Sequence, residues 1–319
     1  MAAGFARCGL VLRRTGGAAY NGGVARPSVV IVGGGFGGLA AARALATAPV
    51  DVVLVDRTNH HLFQPLLYQV ATAGLSPAGV AHPIRRILRR QANARVLLGE
   101  AVAVDAAARR VRLADGEIGY DRLVIAAGAA PFVPPMDGAS SDGVFTLRTI
   151  DDAARIRETA VERGSAAIIG GGLLGIEAAG SLAALGVRVV LLEVSGRLLP
   201  RQLDETGSSM LLAMLEKKGI SVLAGATVAA LSAGAGGLDM QLEGGNSLAV
   251  GLAVISAGVR PRIDLALAAS IRCGRGILVD DFMRTNLPGV YACGDCAEHD
   301  SRCYGLWQPA RSQGAACGN

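Results

Sequence analysis

The fold is decided by residues 28–38, which read SVVIVGGGFGG, and by the alanine-rich stretch at 39–47 that follows them. The β-branched run predicts a strand and the later stretch a helix, and the turn between them has the spacing G-x-G-x-x-G at Gly33, Gly35 and Gly38. The first glycine permits a tight turn, the second lets a pyrophosphate approach the backbone, and the third lets helix and strand pack closely. Free N–H groups at the helix start favour an anion. The stretch therefore predicts a dinucleotide-binding unit.

A carboxylate follows this unit at the spacing that such a site requires. The next predicted strand, residues 51–55, ends at Asp56, which is 23 residues after Gly33. An acid in this position can accept hydrogen bonds from both hydroxyls of an adenosine ribose. We therefore assign Asp56, and Gly37 inside the glycine turn, to the same predicted site.

The same pattern occurs a second time further along the chain. Residues 166–169 predict a strand, Gly170, Gly172 and Gly175 form the turn, and the strand after the next predicted helix ends at Glu193, again 23 residues past the first glycine. One such glycine motif is weak evidence, because glycine turns are common in alanine-rich chains. Two complete units with the acid at the same offset predict two dinucleotide sites.

Two acids in the second unit bear on the nucleotide that binds there. Glu193 would repel a 2′-phosphate and so favours NADH over NADPH, whereas Arg197 could tolerate NADPH. Glu177 follows Gly175 by two residues and is predicted in the first helical turn, where an acid complements the helix dipole. The alternative is that Glu177 lies at the nicotinamide as a positioning residue, and it is our candidate catalytic residue on that interpretation.

Two further predicted strands end on small residues that suit a ligand crevice. Residues 120–128 read YDRLVIAAG and residues 289–295 read GVYACGD. An acid at the C-terminal edge of a parallel strand, such as Asp295, points into the crevice where open α/β sheets bind ligands. The predicted helix at 309–318 would direct its positive end to the same crevice, where it would stabilise the negative charge of a reduced flavin.

Composition and charge exclude several classes of protein. Hydrophobic residues make up 51% of the 319 residues and charged residues 18%, which is typical of a folded chain with a large core. No run of 18 apolar residues predicts a transmembrane helix. The net charge of +5 comes from the first 50 residues, which hold five arginines and no acid. Because the remaining chain is charge-balanced, a nucleic-acid partner is not expected.

Residues 1–27 differ from the rest of the chain. They are basic, acid-free and rich in glycine, so they are predicted as a leader or a disordered tail. A mitochondrial presequence is one interpretation and would imply a mitochondrial protein. Otherwise we expect a cytoplasmic location, with peripheral association with the inner membrane as an option.

From Ser28 to Asn319 the sequence resembles the flavoprotein oxidoreductases with two dinucleotide-binding domains, of the pyridine nucleotide-disulfide oxidoreductase type. The resemblance implies an α/β fold with two Rossmann-like domains of the three-layer ββα type, in which the NAD domain is inserted in the FAD domain. The expected FAD-binding domain covers residues 28–146 and 273–319, and the NAD(P)H-binding domain covers 147–272. Compared with the family, the C-terminal domain, which supplies the dimer interface or a membrane anchor, is expected to be truncated; a complete protein would be a homodimer.

The resemblance also implies roles for single residues. Asp295 would contact the ribityl chain of FAD, Gly128 would close the strand end near the flavin, and Arg57 and Ala101 would line the adenine side. Ala127 stands where the family usually has threonine. The full set of predicted cofactor-binding residues is Gly33, Gly35, Gly37, Gly38, Asp56, Arg57, Ala101, Ala127, Gly128, Gly170, Gly172, Gly175, Glu193, Gly258, Gly294, Asp295 and Gln313.

Two segments resemble different branches of the family. Residues 59–71, NHHLFQPLLYQVA, are similar to type II NADH dehydrogenases, which pass electrons from NADH to quinone. Residues 307–314, WQPARSQG, are more similar to soluble NADH reductases of the rubredoxin, ferredoxin and nitrite-reductase type, although Gln308 and Gln313 are shared with the type II pattern.

Cysteine spacing argues against disulfide or metal chemistry. No cysteine lies between Cys8 and Cys273, where disulfide reductases of this type carry their redox pair. Cys293 and Cys296 have the C-x-x-C spacing, and with Cys303 and Cys317 they could suggest a cluster, but free cysteines are commonly small buried hydrophobes. No metal is therefore expected.

The sequence thus predicts an enzyme, an FAD-containing NADH dehydrogenase. Hydride would pass from NADH to flavin N5 and electrons then to an acceptor, for which a quinone is the main expectation. The alternatives are an NADH-dependent reductase of a small redox protein and a nucleotide-responsive flavoprotein with little turnover.

Overall fold

The computed structural model describes residues 26–71 and 74–318. The expected leader at residues 1–27 lies outside this range except for its last two residues. The strands are β1 (Ser28–Val32), β2 (Asp51–Asp56), β3 (His60–Leu62), β4 (Ala81–Pro83), β5 (Ala94–Leu98), β6 (Ala101–Asp105), β7 (Arg110–Leu113), β8 (Gly116–Gly119), β9 (Arg122–Ile125), β10 (Ala129–Pro131), β11 (Val144–Thr146), β12 (Ser165–Ile169), β13 (Arg188–Glu193), β14 (Ile220–Ala224), β15 (Val228–Gly234), β16 (Gly237–Leu242), β17 (Ser247–Val250), β18 (Leu252–Ile255), β19 (Val259–Pro261), β20 (Ile277–Val279), β21 (Val290–Ala292) and β22 (Ala297–His299).

Helices alternate with these strands. The α-helices are α1 (Phe36–Ala44), α2 (Leu67–Ala71), α3 (Pro77–Val80), α4 (Ile84–Leu88), α5 (Ile150–Arg163), α6 (Leu173–Ala184), α7 (Glu205–Lys217), α8 (Asp264–Ala268) and α9 (Trp307–Gly318), with 3-10 turns at Gln64–Leu66 and Gly294–Cys296. Among the described residues, no helix combines the length and the hydrophobicity needed to cross a membrane.

The first compact unit consists of the described residues up to Leu62, His82–Ala129 and Arg260 onward. Its main sheet is five-stranded and parallel, in the order β21-β9-β1-β2-β5. Alternate residues of these strands point to opposite faces. One face packs on α1 and α4, and the other packs on the antiparallel sheet β6-β7-β8. The unit therefore has three layers, an antiparallel sheet, a parallel sheet and helices.

The second compact unit, Phe63–Ala81 and Ala130–Val259, repeats this architecture. Its parallel sheet has the order β11-β18-β12-β13-β14. Helices α5 and α6 cover one face, and the antiparallel sheet β15-β16-β17 covers the other. The predicted α/β fold with two Rossmann-like units of the ββα type is confirmed. The expected domain bounds at 146, 147 and 272 stay a prediction.

Both helices that follow a glycine turn begin earlier than predicted. Helix α1 starts at Phe36 instead of Leu39, and α6 starts at Leu173 instead of Ile176. The third glycine must lie inside the helix, because only there can its bare Cα rest on the carbonyl of the first glycine. Glu177 is consequently the fifth residue of α6, and the prediction that it lies in the first turn is wrong.

Candidate functional site

The first glycine turn has the geometry of a phosphate cradle. Gly33 has a φ of 106°, and a Cβ on it would stand 2.2 Å from the Ala126 carbonyl oxygen. A Cβ on Gly38 would stand 1.8 Å from the Gly33 carbonyl oxygen, so neither position accepts a side chain. Gly35, at the N-cap of α1, has open space around its Cα and is exposed. This open backbone is where a pyrophosphate can approach the helix N-terminus.

The second glycine turn repeats this geometry in the other unit. Gly170 has a φ of 119° and closes against Ser256, whose carbonyl oxygen would lie 2.4 Å from an added Cβ. A Cβ on Gly175 would stand 1.9 Å from the Gly170 carbonyl oxygen, and Gly172 at the N-cap of α6 again faces open space. The two turns therefore share closed outer glycines and an open middle glycine.

The acids that end β2 and β13 hold these turns by hydrogen bonds. Asp56 accepts from the Gly34 N–H at 2.5 Å through one oxygen and from both the N–H and the hydroxyl of Thr58 at 2.7 Å through the other. Glu193 accepts from Gly171 N–H at 2.7 Å and from Ser195 N–H at 2.8 Å. The sequence predicted contacts with a ribose for these acids, and the structure adds a second role, because each carboxylate fixes the glycine turn next to it.

Gly294 and Asp295 lie beside the first cradle. Gly294, with a φ of 77°, donates its N–H to the Oε1 atom of Gln313 at 2.8 Å. Gly37 faces the same place, since a Cβ on it would stand 3.0 Å from Cys293 Sγ and 3.3 Å from the Ala310 carbonyl oxygen. The structure thus brings Gly37, Gly294 and Gln313 together along the middle of α9, with Asp295 next to Gly294 in the chain.

The other residues predicted for the first site lie at its edges. Gly128 has a φ of 70° and accepts from Arg262 N–H at 2.9 Å, while the half-buried Ala127 packs on the core. Arg57 is exposed and lies 3.9 Å from Glu100, the residue before Ala101 and β6. All these positions belong to the first unit.

A cavity of about 720 Å³ lies in the second unit and contains the second glycine turn. Gly170, Gly172, Glu193 and Gly258 line it, and so does the cation Arg201. Glu177 is exposed and is not among the lining residues. The turn with its acid and the predicted Gly258 therefore share one cavity, whereas the position of Glu177 relative to a nucleotide stays a prediction.

Sequence reasoning missed several polar residues of this cavity wall, three of which come from distant parts of the chain. Gln64, Tyr68 and Arg148 line it, and Arg148 Nη1 donates to Gln64 Oε1 at 2.6 Å. The first two lie in the NHHLFQPLLYQVA segment, whose resemblance to type II NADH dehydrogenases was its only signal. Arg148 lies in the short connection between β11 and α5, and no local sequence pattern indicates that it lines the cavity.

His61 was also missed, and it packs on the first glycine turn. Its Nδ1 atom lies 3.1 Å from the Gly34 carbonyl oxygen, and its ring meets Phe36 edge to face at 4.8 Å between centroids. Burial lowers the pKa of His61 below its ordinary value. The imidazole is therefore held mainly neutral, and it donates the Nδ1 proton to the turn.

Within residues 26–71 and 74–318, no group of three or more His, Cys, Asp or Glu side chains is arranged to hold a metal ion. The cysteines of this part of the chain are free thiols. Burial raises the pKa of Cys296 to about 11, so this thiol stays protonated.

The sequence was compared with known families, curated proteins and solved structures. A family model described as pyridine nucleotide-disulphide oxidoreductase matches residues 27–314. The chain belongs to this family. Members of the pyridine nucleotide-disulphide oxidoreductase family are FAD-dependent flavoproteins that use NAD(P)H, and FAD and NAD(P)H are the cofactors that the two glycine cradles fit.

The curated relatives include a rubredoxin reductase, an NADH oxidase and an electron transfer subunit. The rubredoxin-NAD(+) reductase of Alcanivorax borkumensis is 33% identical over 275 residues, which cover 85% of this chain and 72% of that protein. The NADH oxidase of Methanocaldococcus jannaschii is 30% identical over 282 residues, or 84% and 63% of the two chains. The assimilatory nitrate reductase electron transfer subunit of Bacillus subtilis is 40% identical over 199 residues, which cover 62% of this chain and only 26% of that protein.

Solved structures show the same fold. A ferredoxin reductase from Rhodopseudomonas palustris superposes with a TM-score of 0.85 at 28% identity, covering 92% of this chain and 75% of that chain. The chain thus spans about a quarter of the length of the nitrate-reductase relative and between three fifths and three quarters of the others.

Proposed function

We propose that the protein is an NADH-dependent flavoprotein reductase that passes electrons to a small redox protein of the rubredoxin or ferredoxin type. The observation that carries the proposal is the pair of matching cradles, each with an open middle glycine and an acid that fixes the turn. Two such cradles in one family member fit two adenine dinucleotides, one that stays bound and one that is exchanged.

We assign FAD to the first unit and the nicotinamide nucleotide to the second. In the first unit, Gly294 and Gln313 meet beside the cradle, with Asp295 next to Gly294, an arrangement that suits a permanently held group with a flavin and a ribityl chain. The second cradle lies in an open cavity of about 720 Å³, which suits a nucleotide that enters and leaves.

The bound flavin would supply hydride acceptance and electron release, and the protein supplies binding and orientation. The N-termini of α1 and α6 offer N–H groups to the two pyrophosphates. Asp56 and Glu193 keep both turns in the shape that admits them. Glu177 remains a proposed positioning residue at the nicotinamide.

Charge in the second cavity supports NADH over NADPH. Glu193 is 9% exposed, and a 2′-phosphate beside its carboxylate would meet direct repulsion. Arg197, the cation that could have offset this, donates to the backbone carbonyls of Leu203 and Pro200. Arg201 lines the cavity, and its positive charge would account for any affinity of the cavity for the 2′-phosphate of NADPH.

Similarity to the rubredoxin and ferredoxin reductases supports a protein acceptor, and the type II NADH dehydrogenase-like segment at 59–71 supports a quinone. The relatives favour the first because they match over most of the chain. The test is steady-state NADH oxidation by the FAD-loaded protein with rubredoxin, ferredoxin or a soluble quinone, each at several concentrations.

We expect the highest kcat/KM with one of the two redox proteins. A higher kcat/KM with the quinone would contradict the proposed protein acceptor and identify a quinone as the acceptor instead. Slow reoxidation by all acceptors, together with a partner bound only after NADH addition, would instead indicate a nucleotide-responsive binding protein.

A further inference from the structure

Helix α9 packs on α1 with almost no space between the two backbones. A Cβ on Gly314 would stand 2.1 Å from the Gly37 carbonyl oxygen, and one on Gly318 would stand 3.0 Å from the Ala41 carbonyl oxygen. The small residues of α9 therefore fix its rotation, because any turn of the helix would drive a side chain into α1. The inward face of α9 carries Gln313 and Cys317, one turn apart.

This rotation places two cysteines next to each other. Gln313 binds the N–H of Gly294, so the next turn of α9 brings Cys317 over the residue before Gly294, which is Cys293. Cys317 packs against the core cluster that contains Cys293, and it is close enough to affect the ionisation of the Cys293 thiol. Cys293 is fully buried, whereas Cys317 is half-buried and accessible to a small reagent.

We propose that Cys293 and Cys317 form a reversible disulfide that fastens α9 to the Gly294-Asp295 turn. The oxidant is a low-molecular-weight disulfide such as oxidised glutathione. The Cys317 thiolate attacks it, forms a mixed disulfide and releases one glutathione thiolate. The Cys293 thiolate then attacks the Cys317 sulfur and expels the second glutathione thiolate. Two protein thiols are thereby oxidised, one glutathione disulfide is reduced to two thiols, and both protons go to solvent or to the leaving thiolates.

The other described cysteines have different surroundings. The Cys296 thiol donates to the carbonyl oxygens of Ile125 and Cys293 at 3.4 and 3.3 Å, and it is fully buried. Cys273 and Cys303 are half-buried near the carboxylate of Glu298 in a different part of the first unit. Selective pairing of Cys317 with Cys293 is therefore expected.

The hydrogen bond with Cys317 and burial both raise the pKa of Cys293 well above its ordinary value. Because the attacking species is the thiolate, the second step limits bridge formation and becomes faster as the pH rises. Near neutral pH we expect the mixed disulfide at Cys317 to accumulate first, and the bridge to replace it more quickly at pH 9 than at pH 7.

The test is oxidation of the FAD-loaded, full-length protein with glutathione disulfide, followed by alkylation, digestion and mass spectrometry. Cleavage before Asp295 separates Cys293 from Cys296. We expect a Cys293–Cys317 peptide pair that lacks two hydrogens, a higher Tm after oxidation, and reversal of both by dithiothreitol. Cys317→Ser should abolish the pair and the Tm shift, and Cys293→Ala should leave only the mixed disulfide at Cys317.

Cys303→Ser is the matched control and should form the bridge at the wild-type rate. A stable mixed disulfide at Cys317 without the bridge at pH 9 would overturn the proposal, as would a bridge to Cys8, Cys273, Cys296 or Cys303. The readouts are chemical and thermal, so they do not depend on whether the proposed reductase activity is correct.

Discussion

The buried carboxylate of Glu193 accepts a hydrogen bond from the backbone N–H of Gly171 at 2.7 Å, inside the second glycine turn. Asp56 makes the equivalent contact with Gly34 in the first turn at 2.5 Å. The acid that is commonly considered only as a ribose ligand is therefore also part of the turn. A change at this acid alters both the charge seen by the nucleotide and the shape of the cradle.

Replacing Glu193 by glutamine should shift the nucleotide preference towards NADPH. The amide keeps an oxygen that can accept from Gly171 N–H, although the Ser195 N–H loses its acceptor, and it removes the negative charge that opposes a 2′-phosphate. We expect kcat/KM with NADPH to rise about tenfold, or about 1.4 kcal/mol, while that with NADH falls by less. Stopped-flow flavin reduction with each nucleotide measures this.

Asp56→Asn is the control for Glu193→Gln, because it makes the same chemical change in the first cradle. It should leave the NADPH-to-NADH ratio at the wild-type value. An unchanged ratio in Glu193→Gln would show that the acid does not face the 2′ position.

Substitutions at the two open middle glycines, Gly35 and Gly172, should each weaken the binding of a different cofactor. Alanine at Gly35 or Gly172 meets no protein atom within 4 Å, so the chain should fold normally, but the added methyl group occupies the space that a pyrophosphate needs. We expect Gly35→Ala to weaken FAD retention and Gly172→Ala to raise the Kd for NADH, each by about tenfold or more, or about 1.4 kcal/mol. Fluorescence titration with each ligand provides the values.

Gly180→Ala is the matched control for these substitutions. Gly180 is a helical glycine of α6 with open space around it, so alanine there should bind both ligands normally and stabilise the helix by up to about 1 kcal/mol. Equal effects of Gly35→Ala and Gly172→Ala on FAD would contradict the assignment of one cofactor to each cradle.

Gln313 should matter for stability more than other polar residues of α9. Its side chain is 9% exposed and gives the Gly294 N–H its hydrogen-bond acceptor, so Gln313→Leu leaves that donor without it. We expect the free energy of unfolding of the first unit to fall by about 1–3 kcal/mol and FAD to dissociate faster. Urea unfolding followed by flavin fluorescence measures both.

Gln308→Leu makes the same chemical change on the exposed side of α9. It should change the free energy of unfolding by less than about 0.5 kcal/mol. Similar losses in both variants would mean that the contact between Gln313 and Gly294 contributes little.

His61 should make stability depend on pH just below neutrality. Burial, together with His82 and Arg43, lowers the pKa of His61, while the Gly34 carbonyl and Asp56 act in the opposite direction. Unfolding restores the ordinary pKa of about 6.5, so below that pH the unfolded chain binds a proton that the native chain does not. The contribution of His61 to the free energy of unfolding should therefore be fully present above about pH 7. It should be lost as the pH falls from 6.5 towards the lowered pKa of His61 in the native protein.

His61→Gln keeps a hydrogen-bond donor and removes the titration. We expect its midpoint in urea to change less than that of the wild type between pH 7 and pH 5.5. Parallel midpoint curves for the two proteins over this range would refute the role of His61.

The shape of the two glycine turns was predictable from the sequence because its requirements are local. Gly33 and Gly170 need positive φ values, and Gly38 and Gly175 need a bare Cα against the carbonyl of the first glycine, so these constraints appear directly in the spacing. The two carboxylates were found for the same reason, since β1 and β2, like β12 and β13, pair in parallel register and fix the offset of 23 residues.

Contacts between distant parts of the chain were not predictable. Arg148 and Gln64 are 84 residues apart, and Gln313 reaches Gly294 only because α9 docks on α1 through glycines. The early starts of α1 and α6, and with them the displaced position of Glu177, also depend on packing of the turn and not on the helix propensity of the residues. Tertiary packing decides such features, and the hydrophobic periodicity of the sequence does not reveal that packing.

Anaerobic titration of the FAD-loaded protein with NADH, followed by flavin absorbance, tests whether the two cradles hold an electron donor and a flavin that react with each other. We predict that the oxidised flavin absorbance is lost in proportion to the NADH added, with one NADH per FAD, and that Gly172→Ala requires a higher NADH concentration for the same loss. A flavin that stays oxidised while NADH binds, or a protein that does not take up FAD at all, would contradict the account.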